Sequence, residues 1–336
     1  MFPDIALKQN VIDDKIYGIP LFIDTLVVYY NRKHFTETYS ELILQKRSDE
    51  SKLFNYSPNN WEEFLTMGKI LTKKDNNGNI LRAGAAMGTS NNIANSPDVL
   101  TALMLQNNTL MSSADNLTST INLPITKDTG EVTYAGTQAL SFYTSFSDDK
   151  KDNYMWNNKM SDHISAFMNG EVSMIIDYGV LRDRLAQEAP NFRYGVGPFP
   201  QVAGSTNSVD YASYWVETVT NNSENPVEAW KFIKYLSDKS ATYNNATKTP
   251  SAKKISNIGI PVTKERASKG GVPFRYQPMT AKYYYKGNYP REIDNIFYDM
   301  IQEVAIQKVP AQTAIDKAAA TITESYKLTA KENNIQ

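Results

Sequence analysis

The pattern of apolar and polar positions predicts strands alternating with helices. Thr25–Tyr30 is a β-branched and aromatic run that must be a strand, with Gly18 and Pro20 punctuating the chain before it. Val172–Ile176 reads as a buried strand and Tyr194–Gly197 as another. Before Val172, the residues Met160, Ile164, Phe167 and Met168 recur at helical spacing, and Gly170 stands at the stop. Asn60 predicts an N-cap with Glu63 completing a capping box; Trp61, Phe64, Leu65, Gly68 and Leu71 then line one face. Ala139, Leu140 and Tyr143 mark another amphipathic helix. Asn225, Pro226 and Glu228 open a helix whose buried stripe is expected to be Ala229, Phe232, Ile233 and Leu236. After Pro310, the positions Ala311, Ala314, Ile315, Ala318 and Ile322 predict the final helix. Trp61 and Trp230 fall on buried faces. The polar stretches Ser112–Ser119 and Ser240–Asn257 read as loops, and Lys73–Asn79 as a turn. Strands and helices in alternation argue α/β layers.

A length of 336 residues is too much for one small core and implies two lobes. The 35 Lys and Arg against 36 Asp and Glu leave a net charge of −1, so nothing points to a polyanion such as nucleic acid. No cysteine is present, which removes disulfides, thiolate nucleophiles and thiolate metal sites together. The 21 Tyr and 4 Trp suit ligands that carry hydroxyls on one side and C–H groups on the other.

No catalytic constellation is legible. The acidic run from Asp75 fails as a calcium loop because Ala86, not Glu, occupies its twelfth position. His34 and His163 lack metal-ligand spacing and are assigned solvated or capping roles. No GxSxG elbow, Walker loop or GxGxxG fingerprint occurs, so no cofactor and no metal is expected.

Two stretches carry a family likeness: YGIPLFIDTLVVYYNRKHF at Tyr17–Phe35 and AFMNGEVSMIIDYGVLRDRL at Ala166–Leu185. With WEEFLTMGKILTKKDNNGNILRAG, YGVGPFPQ and NPVEAWKFIKYLSD, the chain resembles the extracellular solute-binding proteins of ABC sugar importers, the maltose-binding-protein-like family 1. The resemblance implies a two-lobe periplasmic-binding-protein-like α/β fold with discontinuous lobes and three hinge crossings. These are expected near Ile23–Leu26, near Tyr214–Thr218 and within Pro273–Tyr289. Residues 1–24 and 216–275 would form the first lobe, and 25–215 with 276–336 the second. The opening MFPDIALKQNVIDDKIYGIP resembles an internal family segment, so the first lobe is expected to be incomplete and the signal peptide missing. The implied role is solute capture outside the cytoplasm, periplasmic or lipid-anchored, for ABC permease subunits. The solute would be a mono- or oligosaccharide, and the full-length protein a monomer.

The resemblance also implies a ligand cleft between the lobes. Asp24, with Thr25 beside it, stands where some sugar-binding relatives carry an acid that grips hydroxyls; the alternative is an Asp that ends a turn. Asp177 and Tyr178 emerge at the carboxyl end of a strand, where ligands bind in open α/β sheets, although Asp177 could equally cap Gly179–Arg182. Val180 and Leu181 follow where maltose-type relatives place Trp. Tyr214 and Trp215 either stack on a sugar or fill the hinge core. Trp156 belongs to the cleft rim or packs under a helix, and Tyr284 represents the run Tyr283–Tyr285, of which one ring is expected in the cleft. Two rival readings are a carbohydrate hydrolase using Asp24 and Asp177 as paired carboxylates, and a truncated chain that binds nothing.

Overall fold

The computed structural model describes residues 5–6, 10–12, 14–126, 129–247, 273 and 276–333, with the backbone alone for 238–247 and 333. Its strands in chain order are β1 (Val11–Ile12), β2 (Lys15–Ile16), β3 (Ile19–Pro20), β4 (Asp24–Asn31), β5 (Lys73–Lys74), β6 (Ile80–Ala85), β7 (Ile125–Thr126), β8 (Val132–Thr133), β9 (Val172–Tyr178), β10 (Tyr194–Pro198), β11 (Asp210–Ser213), β12 (Val216–Glu217) and β13 (Ala281–Lys282). The main sheet runs β13-β11-β4-β9-β6-β5, and β10 also pairs with β4. β4 is therefore central. Its Leu26–Tyr30 stretch lies antiparallel to Tyr178–Met174 of β9 on one side. Its other side is shared, Asn31–Val27 facing β10 while Thr25 and Asp24 face Ala212 and Ser213 of β11.

Successive strand residues point to opposite faces, which explains why β4 reads as apolar throughout. Leu26 and Val28 join a core on one face with Met174 and Ile176. That core is closed by the helices Trp61–Leu71, Ser96–Gln106, Ala135–Ser145, Pro290–Ala305 and Ala311–Asn333. Val27 and Tyr29 join a second core on the other face with Ile175, Trp156, Phe167 and Leu185, under the helices His163–Met168 and Leu181–Glu188. A third, small cluster of Ile5, Ala6, Ile23 and Ala212 sits where β4 and β11 leave the sheet. Beyond it, β12 pairs with β3 through Val216↔Pro20 and Glu217↔Ile19.

Local signals explain most element ends. The Asn60 side chain accepts the Glu63 N–H at 2.8 Å, and the Glu63 carboxylate reaches back to the Asn59 N–H, one residue earlier than a standard capping box. Gly170 has φ +74° just past the Asn169 cap, a conformation costly for any residue with a Cβ. The helix before it starts only at His163, because Asp162 caps the Ile164 and Ser165 N–H groups and leaves Met160 outside. The Pro226–Thr247 helix extends through 240–247, expected as loop; the remainder of the Ser240–Asn257 expectation lies outside the described residues. Along that helix Ile233 is buried, Ala229 and Leu236 are half-buried, and Phe232 is exposed, against the expected stripe; Trp230 is likewise only half-buried.

Candidate ligand-binding site

β4 begins at Asp24 and β9 ends at Tyr178, and their antiparallel register brings both ends to one edge of the sheet. Asp24 is buried there. Its Oδ1 accepts the N–H groups of Thr25 and Gly179, and its Oδ2 that of Val180, all at 2.8 Å. Val180 precedes the Leu181–Glu188 helix and has no capping side chain, so Asp24 satisfies the helix start from across the sheet. Burial raises the Asp24 pKa, while the three N–H groups and Arg182 act to lower it.

Asp177 accepts the Tyr178 N–H at 2.6 Å and pairs with His163 Nε2 at 2.9 Å. His163 is itself buried, and its backbone N–H donates to Asn92. The other histidine, His34, is buried with Nδ1 3.0 Å from Ser173 Oγ. Both rings are buried against β9, so of the solvated and capping roles expected for them the solvated one does not hold.

The Tyr178 hydroxyl donates to Asp98 at 2.9 Å. Asp98 lies 3.5 Å from Lys286, which also contacts Asp294 at 2.5 Å and sits 6.0 Å from the ring centre of Tyr211. Burial works against the Lys286 charge, yet Tyr211, Asp98 and Asp294 together raise its pKa. Burial also raises Asp98, which Lys286 and the Tyr178 hydroxyl pull back down. These five residues come from the end of β9, a helix start, the segment after β13, a second helix and β11; no spacing in the sequence joins them, and only Tyr178 and the Tyr-rich neighbourhood of Lys286 hinted at a site.

Other expected site residues are placed differently. Thr25 is fully buried, its Oγ1 accepting from Gln277. Trp156 is fully buried and donates to Thr89 and Asn92, so it packs the second core instead of lining a rim. Tyr284 is also buried, packed on Phe297 with its hydroxyl 3.0 Å from Tyr326, because the two C-terminal helices lie over it; Tyr283 is the exposed ring of that run. Tyr214 is half-buried with its hydroxyl on the Ile5 carbonyl, whereas Trp215 is 78% exposed beside β12. A separate cavity of about 370 Å³ is lined by Asn60, Glu63, Gln201, Asp210 and Tyr276 among others, and none of the expected site residues reaches it. Among the described residues, no group of three or more His, Cys, Asp or Glu could hold a metal ion.

A family model of bacterial extracellular solute-binding proteins matches residues 2–243, and the chain belongs to that family. The family is one of binding proteins that act outside the cytoplasm, not of enzymes. A putative binding protein of Brucella abortus is 26% identical over 271 residues, covering 79% of this chain and 55% of the relative. The chain thus spans about half the length of the curated relatives it matches. Among solved structures, it is similar to a cyclic α-maltosyl-1,6-maltose binding protein from Arthrobacter globiformis, with TM-score 0.70, 15% identity, and coverage of 97% of this chain and 76% of the other. An ABC substrate-binding protein from Listeria monocytogenes in complex with cycloalternan gives TM-score 0.65, 16% identity, and coverage of 96% and 75%. These likenesses establish the two-lobe α/β fold of periplasmic binding proteins.

Proposed function

We propose that this protein captures a mono- or oligosaccharide between its lobes and delivers it to the membrane permease of an ABC importer. The observation that carries this reading is the meeting of Asp24, Asp177 and Tyr178 at one sheet edge, beside the segment that leads from β11 to β12. Strand ends of this kind are where open α/β sheets hold ligands, and closure of a second lobe would expel water from around the solute. Membership of the solute-binding family supports the role, and the saccharides named for similar solved structures support the ligand class.

In this reading residues 1–24 and 216–275 belong to one lobe and 25–215 with 276–336 to the other, and the protein acts as a monomer. Asp24 Oδ2 accepts one N–H and keeps a lone pair for a ligand hydroxyl. The exposed Trp215 offers a ring face to the C–H side of a sugar, with Tyr214 beside it, while Tyr178 backs the site from its part-buried position against the first core. Thr25, Trp156 and Tyr284 keep the frame in place from within the core. A thermal-shift panel tests the proposal, since a ligand that binds only the folded state raises the melting temperature. Neutral saccharides should raise it; a shift with amino acids or polyamines alone would sink the saccharide assignment. Release of reducing ends during the incubation would instead favour the hydrolase.

A further inference from the structure

The charged cluster beside Tyr178 bears on which saccharides could enter. Lys286 is the cationic group at its centre, and two carboxylates, Asp98 and Asp294, flank it at 3.5 and 2.5 Å. One positive charge against two negative leaves the cluster at −1. Accessibility sharpens the imbalance. The Lys286 side chain is 12% exposed, against 24% for Asp98 and 34% for Asp294, so the two acids are the more accessible members of the cluster. Asp24, held by backbone N–H groups, adds a further carboxylate at the same strand ends, whereas the Asp177 carboxylate turns to the opposite face of the sheet and pairs with His163. Arg182 is turned to the Gly179 carbonyl at 3.2 Å.

We infer that Lys286 is a masked anion-binding group, and that Asp98 and Asp294, by masking it, are specificity-determining residues that keep phosphorylated and carboxylated solutes out of this site. An ammonium group is an ordinary phosphate ligand when it is free, as a point charge with three rotatable donors. Here its donors are directed to two carboxylates, and like-charge contact with an anionic solute at a partly buried site costs far more than in water. Neutral hydroxyls meet no such barrier, because carboxylate oxygens accept them readily. The inference deepens the solute-binding reading by naming the ligand's charge class, and rests on it only for the position of the cleft.

The test needs no saccharide. The melting temperature of the protein is measured against inorganic phosphate, with chloride at matched ionic strength as the control. The wild type should show no phosphate-specific shift. The Asp98→Asn/Asp294→Asn variant keeps an acceptor for the Tyr178 hydroxyl and unmasks Lys286. It should gain a shift of roughly 2 °C or more once phosphate exceeds its dissociation constant about tenfold. Adding Lys286→Met should abolish that gain. If the double variant does not fold, by its circular dichroism spectrum, Asp294→Asn alone decides with a smaller shift of the same sign, since Asp294 is the more exposed acid. A phosphate shift in the wild type that Lys286→Met removes would overturn the inference, as would a folded unmasked variant indifferent to phosphate. A protein that ignores every sugar yet behaves as expected here would lose the saccharide reading and keep this one.

Discussion

The Asp24 carboxylate accepts the Gly179 N–H at 2.8 Å although 155 residues separate them in the chain. That bond, with its neighbour to Val180, joins the start of β4 to the end of β9 and caps the helix that follows. An acid that the sequence offered chiefly as a sugar ligand therefore holds two strand ends and a helix start together. Asp24→Ala should leave the Gly179 and Val180 N–H groups unpaired and cost about 1–3 kcal/mol of stability. Urea denaturation measures it, and an unchanged midpoint would show that the turn holds without this cap.

Trp215 separates ligand contact from structural support. Its indole is largely in solvent, so Trp215→Ala should change stability by no more than about 0.5 kcal/mol. Saccharide affinity, measured by calorimetry, should fall by about 1 kcal/mol or more if the ring stacks on the sugar. Equal affinity in the variant would remove Trp215 from the site.

Trp156 should behave in the opposite way. It fills the second core and its ring N–H is satisfied by Thr89 and Asn92. Trp156→Ala should cost about 3–5 kcal/mol of stability by leaving a cavity, although Thr89 and Asn92 keep their bond to each other. A variant with wild-type stability and weakened sugar binding would restore Trp156 to the cleft.

Asp210 gives a pH dependence with a definite sign. It is buried at the start of β11, accepting from Thr280 and Gln201, and burial lifts its pKa from 3.8 to about 7 despite those bonds. The folded state therefore binds this proton more tightly than the unfolded chain does. Its contribution is full below about pH 4 and is lost as the pH rises through 7. His34 works against it. Burial, with Arg82 and Lys33, lowers its pKa from 6.5 to about 4, so stability is lost as the pH falls through that interval. The two trends oppose each other in the wild type, and Asp210→Asn should expose the histidine alone. The stability of the wild type relative to this variant should shrink steadily from pH 4 to pH 7 in urea titrations. A flat difference would mean that Asp210 is ionised throughout.

Gly84 on β6 tests the packing of the first core. A Cβ there would lie 1.9 Å from the Gly68 carbonyl oxygen and 2.6 Å from Thr72 Oγ1, both on the facing helix and its cap. Gly84→Ala should cost about 1–3 kcal/mol or more, because backbone must move to admit it. A shift in melting temperature reads it directly, and an unperturbed variant would mean that the helix rides further from the sheet.

What the sequence by itself determined is local: which segments are strands and helices, and most of their ends. The apolar run of β4, the Asn60 cap, the left-handed Gly170 and the final Ala-rich helix are all written in neighbouring residues, because propensity, capping and turn geometry act over a few positions. Residue patterns also carried the family likeness and named Asp24, Asp177 and Tyr178 as strand-end residues. Tertiary structure decided how those residues are engaged. Asp24 turns to Gly179, His163 to Asp177, and Tyr178 to Asp98, across separations that no periodicity reports. It also sorted the aromatic rings, burying Trp156 and Tyr284 and leaving Trp215 and Phe232 in solvent, because exposure depends on what another element lays over a ring. The joining of Lys286 to Asp98 and Asp294 likewise required the whole sheet, since electrostatic pairing follows distance in space and not order along the chain.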